Sequence, residues 1–127
     1  PRDAFPKRLL TIAEVLRDVV ARNAPDEAAV EETFYSPSAS SASSIRLTHV
    51  RGAVLLVLAE AGLSVGEYPP ARVKLAVTGN GRAEKEQVQS MVQILLNLAD
   101  PIDSFDASDA AAVALCHCAM RPAGVRK

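Results

Sequence analysis

The sequence predicts an α/β fold in which helices cover a sheet. Three observations carry that expectation: apolar residues recur at helical spacing in several segments, two short runs between turn formers read as strands, and Gly and Pro punctuate the boundaries. The 127 residues, 49% hydrophobic, 23% charged and 4% aromatic, fit one domain over residues 1–118 followed by a basic tail, 119–127, expected to be disordered. That size excludes a multidomain machine. Fourteen Lys and Arg against fifteen Asp and Glu give a net charge of -1, so any nucleic-acid contact has to use a local basic patch. Both cysteines sit in Cys116-His117-Cys118, which excludes a disulfide framework. No signal peptide and no apolar run long enough to span a bilayer is read, so a cytosolic, cytoplasmic protein is expected.

From Phe5, the positions Leu9, Ile12, Ala13, Leu16, Val19 and Val20 mark an amphipathic helix that stops near Asn23, because Ala24-Pro25 disfavours further helical geometry. Residues 28–34 read as a buried strand ending in acids. Residues 36–44, rich in Ser and Ala, bury almost nothing and read as a mobile loop whose tail enters the next helix. That helix runs from Ile45 to Ala61 and is closed by Gly62. Its centre, residues 53–59, is apolar on every side, so one face packs at home and the other needs a partner. Ser64 to Tyr68 reads as a strand. Pro70 opens a helix ending at Thr78 with Gly79 as its stop, although the same residues alternate and also suit a strand. After the Gly79-Asn80-Gly81 turn, Val88, Met91, Val92, Leu95 and Leu96 mark another amphipathic helix with Glu84 and Glu86 in its first turn. An Ala-rich helix follows from Ser104 or Asp106 to Cys118. Two strands make a poor sheet for so many helices.

Chemistry-bearing residues gather in three places. Asp100, Asp103, Asp106 and Asp109 recur every third residue, and Asp106 and Asp109 share one helix face. Helix capping explains one or two such acids. The alternative is that Asp106 and Asp109, joined by Glu31 from the end of a strand, bind Mg²⁺ through carboxylate oxygens and serve phosphodiester hydrolysis. Residues 79–85 form a tight turn into a helix start, where backbone N–H groups with Arg82 and Lys85 suit a phosphate; an ordinary turn fits equally well. Arg46, Arg51, Arg72, Lys74, Arg82 and Lys85 outnumber Glu60, Glu67 and Glu84 between Ile45 and Lys85, which is where a DNA backbone would lie. Phe34 and Tyr35 are read either as core residues or as a wedge that stacks on a base. Cys116-His117-Cys118 is not a zinc site, since no second ligand pair exists; two packed thiols and a helix-end histidine are expected.

Several segments together, in order, resemble one family. Ala29-Val30-Glu31 with Phe34, Val50-Arg51-Gly52-Ala53, Glu67-Tyr68 with Val73-Lys74, Gly79 through Val88, and Asp106-Ala107-Ser108-Asp109-Ala110 are similar to the bacterial Holliday junction resolvase family RuvC. The similarity runs from about Phe5 to Cys118. The resemblance implies an RNase H-like fold with a mixed sheet, a homodimer joined through the apolar second helix, and paired nicks in four-way junction DNA with Mg²⁺ or Mn²⁺. It implies Glu31, Asp106 and Asp109 as catalytic, metal-binding acids. It implies Lys74 and Lys85 in contact with DNA near the site and Phe34 against junction bases, and the turn at residues 79–85 adds Arg82 as a DNA-binding residue. The branch-migration proteins RuvA and RuvB are candidate partners. The alternative function is a non-catalytic dimeric DNA-binding or scaffold module. The family pattern also has a leading strand with a further catalytic aspartate in a Gly-x-Asp-x-Gly setting, then two more strands. The 127 residues open at Pro1-Arg2-Asp3-Ala4-Phe5 without them, so the expected metal site is one ligand short and the sheet lacks its central strands.

Overall fold

A computed structural model describes residues 4–32 and 42–121. The elements are α1 (Ala4–Asn23), β1 (Glu27–Glu31), α2 (Ala42–Glu60), β2 (Ser64–Tyr68), α3 (Pro70–Thr78), α4 (Lys85–Leu95) and α5 (Phe105–Met120). Strands β1 and β2 pair in a small parallel sheet, the two-stranded sheet found among the described residues. A parallel pair needs a crossover, and α2 supplies it. Within the span expected as one domain, the chain divides into two compact units, the boundary passing through both strands.

The first unit holds α1 and α2, which pack on each other. Its buried apolar residues are Ala13, Val57 and Leu58, while Leu10, Val15, Val19, Ile45, Leu47 and Leu56 stay exposed. The Arg46 guanidinium lies 5.4 Å over the Phe5 ring, and the His49 ring sits 6.0 Å from it. At the other end Arg17 Nε donates to Glu60 Oε2 at 3.2 Å. Such an exposed pair contributes about 0–1 kcal/mol. Helix α2 corrects one expectation. By length and composition alone it is long and apolar enough to cross a membrane, because its 19 residues add Ile45, Leu47 and Val50 to the apolar centre. That helix also carries Arg46, His49, Arg51 and Glu60.

The second unit is built on helix pairs of small and β-branched residues. Val73 and Val77 of α3, Val88 and Val92 of α4, and Ala112, Val113 and Cys116 of α5 form one buried cluster with Ala83. The i, i+4 spacing of each pair puts it on one helix face. Residues 70–78 are helical, which settles the ambiguity left by their alternation: Pro70 occupies the first turn and Gly79 takes φ +79° at the end, its N–H donating to Leu75 O at 2.9 Å. Only glycine adopts that left-handed cap freely. The Glu84 N–H donates to the Gln87 side chain at 2.9 Å and starts α4, while the Ser104 hydroxyl accepts from the Ala107 N–H at 3.3 Å and starts α5. Strand β1 is half-buried rather than buried, since among the described residues it has β2 on one edge and no second sheet neighbour.

Candidate functional site

A cleft of about 220 Å³ in the second unit gathers residues from four elements. Glu31 comes from the end of β1, Lys74 from α3, Lys85 from the start of α4 and Asp109 from α5, over an apolar floor of Pro70, Val73, Val88 and Ala112. Each polar residue owes its place to a buried neighbour. Lys74 follows buried Val73, Lys85 lies one turn before buried Val88, and Asp109 follows buried Ser108 on the helix face that holds Ala112. Glu31 is fixed through the next residue: the Glu32 N–H donates to Tyr68 O at 2.8 Å, which ties the end of β1 to β2.

The electrostatics of the cleft centre on Glu31. Its side chain is exposed to solvent along one side, yet the cleft walls strip enough water to push its carboxyl above the ordinary value. The Asp109 charge pushes it further, and the Lys74 ammonium opposes both. Two carboxylates that repel, with two lysines at hand, form a site that gains from a bound cation or a phosphate.

The structure brings together Glu31, Asp109, Lys74 and Lys85. It does not bring Asp106 into the cleft. Asp106 lies in the exposed first turn of α5, three residues before Asp109, and among the described residues no three His, Cys, Asp or Glu side chains meet as a metal-holding group. Sharing a helix face with Asp109 does not by itself make Asp106 part of the cleft lining. Arg82 is exposed in the turn before α4, its N–H donating to Asn80 Oδ1 at 2.9 Å, and it does not line the cleft. Phe34 and Tyr35, the Ser/Ala loop through Ser41 and the tail from Pro122 onward lie outside the described residues. Of the expected packed thiols, Cys116 is buried but Cys118 is exposed, since neighbours two apart on a helix face different ways.

Sequence reasoning missed one polar contact beside the site. The Tyr68 hydroxyl and His117 Nδ1 share a hydrogen bond of 2.6 Å, with the two rings edge to face at 5.7 Å. A glycine inside a strand was the available signal, because such a residue often marks a close approach. A Cβ on Gly66 would stand 2.6 Å from His117 Nδ1 and 2.8 Å from the Tyr68 hydroxyl.

Comparison with known proteins gives one answer. The family model described as crossover junction endodeoxyribonuclease RuvC matches residues 1–117. The protein of that name from Azorhizobium caulinodans is 49% identical over 122 residues, 95% of this chain and 70% of the relative. The one from Koribacter versatilis is 45% identical over 116 residues, 91% of this chain and 69% of the relative. Among solved structures, Thermus thermophilus RuvC in complex with Holliday junction substrate superposes with a TM-score of 0.82 at 34% identity, covering 93% of this chain and 70% of that one. Across these and further curated relatives of the same name, the chain spans between 62% and 72% of the relative's length. The fold is RNase H-like, as the resemblance implied. From this agreement of sequence, fold and cleft, the chain belongs to the RuvC family of crossover junction endodeoxyribonucleases.

Proposed function

We propose that this protein is a structure-specific endodeoxyribonuclease that nicks four-way DNA junctions in recombination and repair. One observation carries the reading: Glu31 and Asp109, far apart in sequence, face the same small cleft with Lys74 and Lys85. The lysines bind the phosphates of the junction arm and bring the scissile one to the carboxylates. Glu31 and Asp109 fit a divalent ion by donor chemistry, as hard oxygens whose mutual repulsion a cation relieves. When bound there, Mg²⁺ or Mn²⁺ supplies an acidified water and offsets charge on the leaving oxygen. Asp106 is proposed as a third acid acting from the rim, Arg82 as a further backbone contact, and Phe34 as a contact to junction bases. The proposal includes a homodimer through α2, a cytoplasmic setting, and RuvA and RuvB as partners. A twofold dimer presents two clefts to two strands.

The test is nicking of a synthetic four-way junction with Mg²⁺ or Mn²⁺, alongside binding measured without divalent ions. Glu31→Gln, Asp106→Asn and Asp109→Asn are expected to bind the junction and fail to nick it. Normal nicking by the Glu31 and Asp109 variants would overturn the assignment. All variants are assayed in a protein that carries the family's leading strands ahead of these residues, and binding without nicking by that protein would mark a scaffold module instead.

A further inference from the structure

The two cleft carboxylates sit on different elements, so something must set their spacing. Helix α5 is held against α3 and α4 by Ala112, Val113 and Cys116, which are small or β-branched apolar residues. That packing holds α5 against its neighbours, but the hydrophobic effect is non-directional and by itself does not set the distance of one side chain on α5 from one on β1. A hydrogen bond has a narrow range of distance and angle. The bond between Tyr68 and His117 joins β2 to α5, and His117 lies eight residues, about 12 Å along the axis, beyond Asp109. Through its other end, the same Tyr68 holds β1: its carbonyl accepts the Glu32 N–H at 2.8 Å, next to Glu31.

We propose that Tyr68 is a positioning residue, which through its hydroxyl and carbonyl fixes the spacing of Asp109 on α5 from Glu31 on β1. Gly66 completes the device. It points the same way from β2 as Tyr68, and its missing side chain leaves the space in which the Tyr68–His117 bond lies. Tyr68 touches no reacting atom in this scheme. The inference rests on the junction-nicking reading for its consequence, but the tie itself can be read without nicking.

Tyr68→Phe keeps the ring and removes the hydroxyl. The expected result is a fall in nicking rate of about tenfold or more, a several-fold rise in half-saturating Mg²⁺, unchanged junction affinity without divalent ions, and faster hydrogen exchange at the Glu32 amide. His117→Ala and Gly66→Ala are expected to behave alike, and Tyr68→Phe combined with His117→Ala to be no worse than either alone, because both remove one interaction. His117→Asn, which again offers a polar atom to the hydroxyl, is expected to restore part of the rate. Val77→Ala, buried in the same unit but apart from the tie, serves as the control for lost stability. Wild-type nicking and Mg²⁺ requirement in Tyr68→Phe would overturn the proposal. So would a loss no greater than that of Val77→Ala at equal loss of Tm. If instead the unaltered protein nicks no junction, the functional reading fails, and Glu32 exchange in Tyr68→Phe decides the tie by itself, unchanged exchange overturning it.

Discussion

The two units use similar amounts of helix but build cores of different size. In the second, each of α3, α4 and α5 sends a row of Val, Ala or Cys into a shared cluster, with Val92, Ala112 and Cys116 fully excluded from solvent. In the first, among the described residues, α1 and α2 bury only Ala13, Val57 and Leu58; large apolar side chains stay exposed in both units, among them Leu47 at 59% and Leu56 at 57% in the first and Ile94 at 67% in the second, so the units differ in the size of their cores. The chemistry-bearing cleft lies in the unit with the dense core. Carboxylates that must keep a fixed spacing need elements locked by packing, whereas apolar helix faces left open suit association with another surface.

The largest effect that tests this contrast is on chemistry. Glu31→Gln or Asp109→Asn is expected to lower junction nicking more than about 100-fold with binding retained, as measured by cleavage of a labelled junction beside a gel-shift titration. Next come the cores. Val92→Ala is expected to cost about 2 kcal/mol in urea unfolding, because a fully buried valine leaves a cavity. Leu56→Ala, in the open face of α2, is expected to change the unfolding free energy of a single chain by less than about 0.5 kcal/mol. Equal costs for both would erase the distinction between the units. A smaller effect is expected for Lys85→Ala, which lowers junction affinity several-fold and cuts the salt dependence of binding by about one phosphate contact without altering sequence preference. A log–log plot of affinity against salt checks it.

The smallest effect is on stability and depends on pH. The Glu31 carboxyl is held above its ordinary value by lost hydration and by Asp109, against the pull of Lys74. A raised carboxyl penalises the folded state in its charged form. The penalty is complete above the folded value and absent below the ordinary one. Glu31→Gln is therefore expected to melt slightly higher than the unaltered protein at neutral pH, with the advantage disappearing as the solution is acidified through the raised value. Thermal melts across that range sharpen the picture of a cleft strained by its own charges, and a lower melting variant at neutral pH would break it.

Much of the fold was legible in the sequence because local rules act alone there. The helix from Phe5 to Asn23, the Pro70 start and the Gly79 stop follow from periodicity and backbone geometry, and the structure shows α1 and α3 with those limits to within a residue. The ambiguity over residues 70–78 was real, since short alternating runs satisfy both periods, and burial of Val73 and Val77 on one helix face decided it. The burial of β1 was misjudged because a strand's depth depends on its neighbours in the sheet, which its own residues do not encode. At the site, Glu31, Asp109, Lys74 and Lys85 were named from the family resemblance and a spacing rule. Neither gives distance, so neither distinguishes Asp109, which lines the cleft, from Asp106, which does not. The Tyr68–His117 bond joins residues 49 positions apart and left a single trace, the glycine at 66.

The contrast between the protein's two thiols has a practical use. Burial holds Cys116 above the ordinary thiol range, against the weaker influence of Arg72, and leaves it no accessible surface, while Cys118 stands in solvent two residues later on the same helix. Alkylating reagents will take Cys118 at once and reach Cys116 only when α5 lifts from α3 and α4, so the slow second labelling event is a clock for the opening of the very packing that holds Asp109 in place.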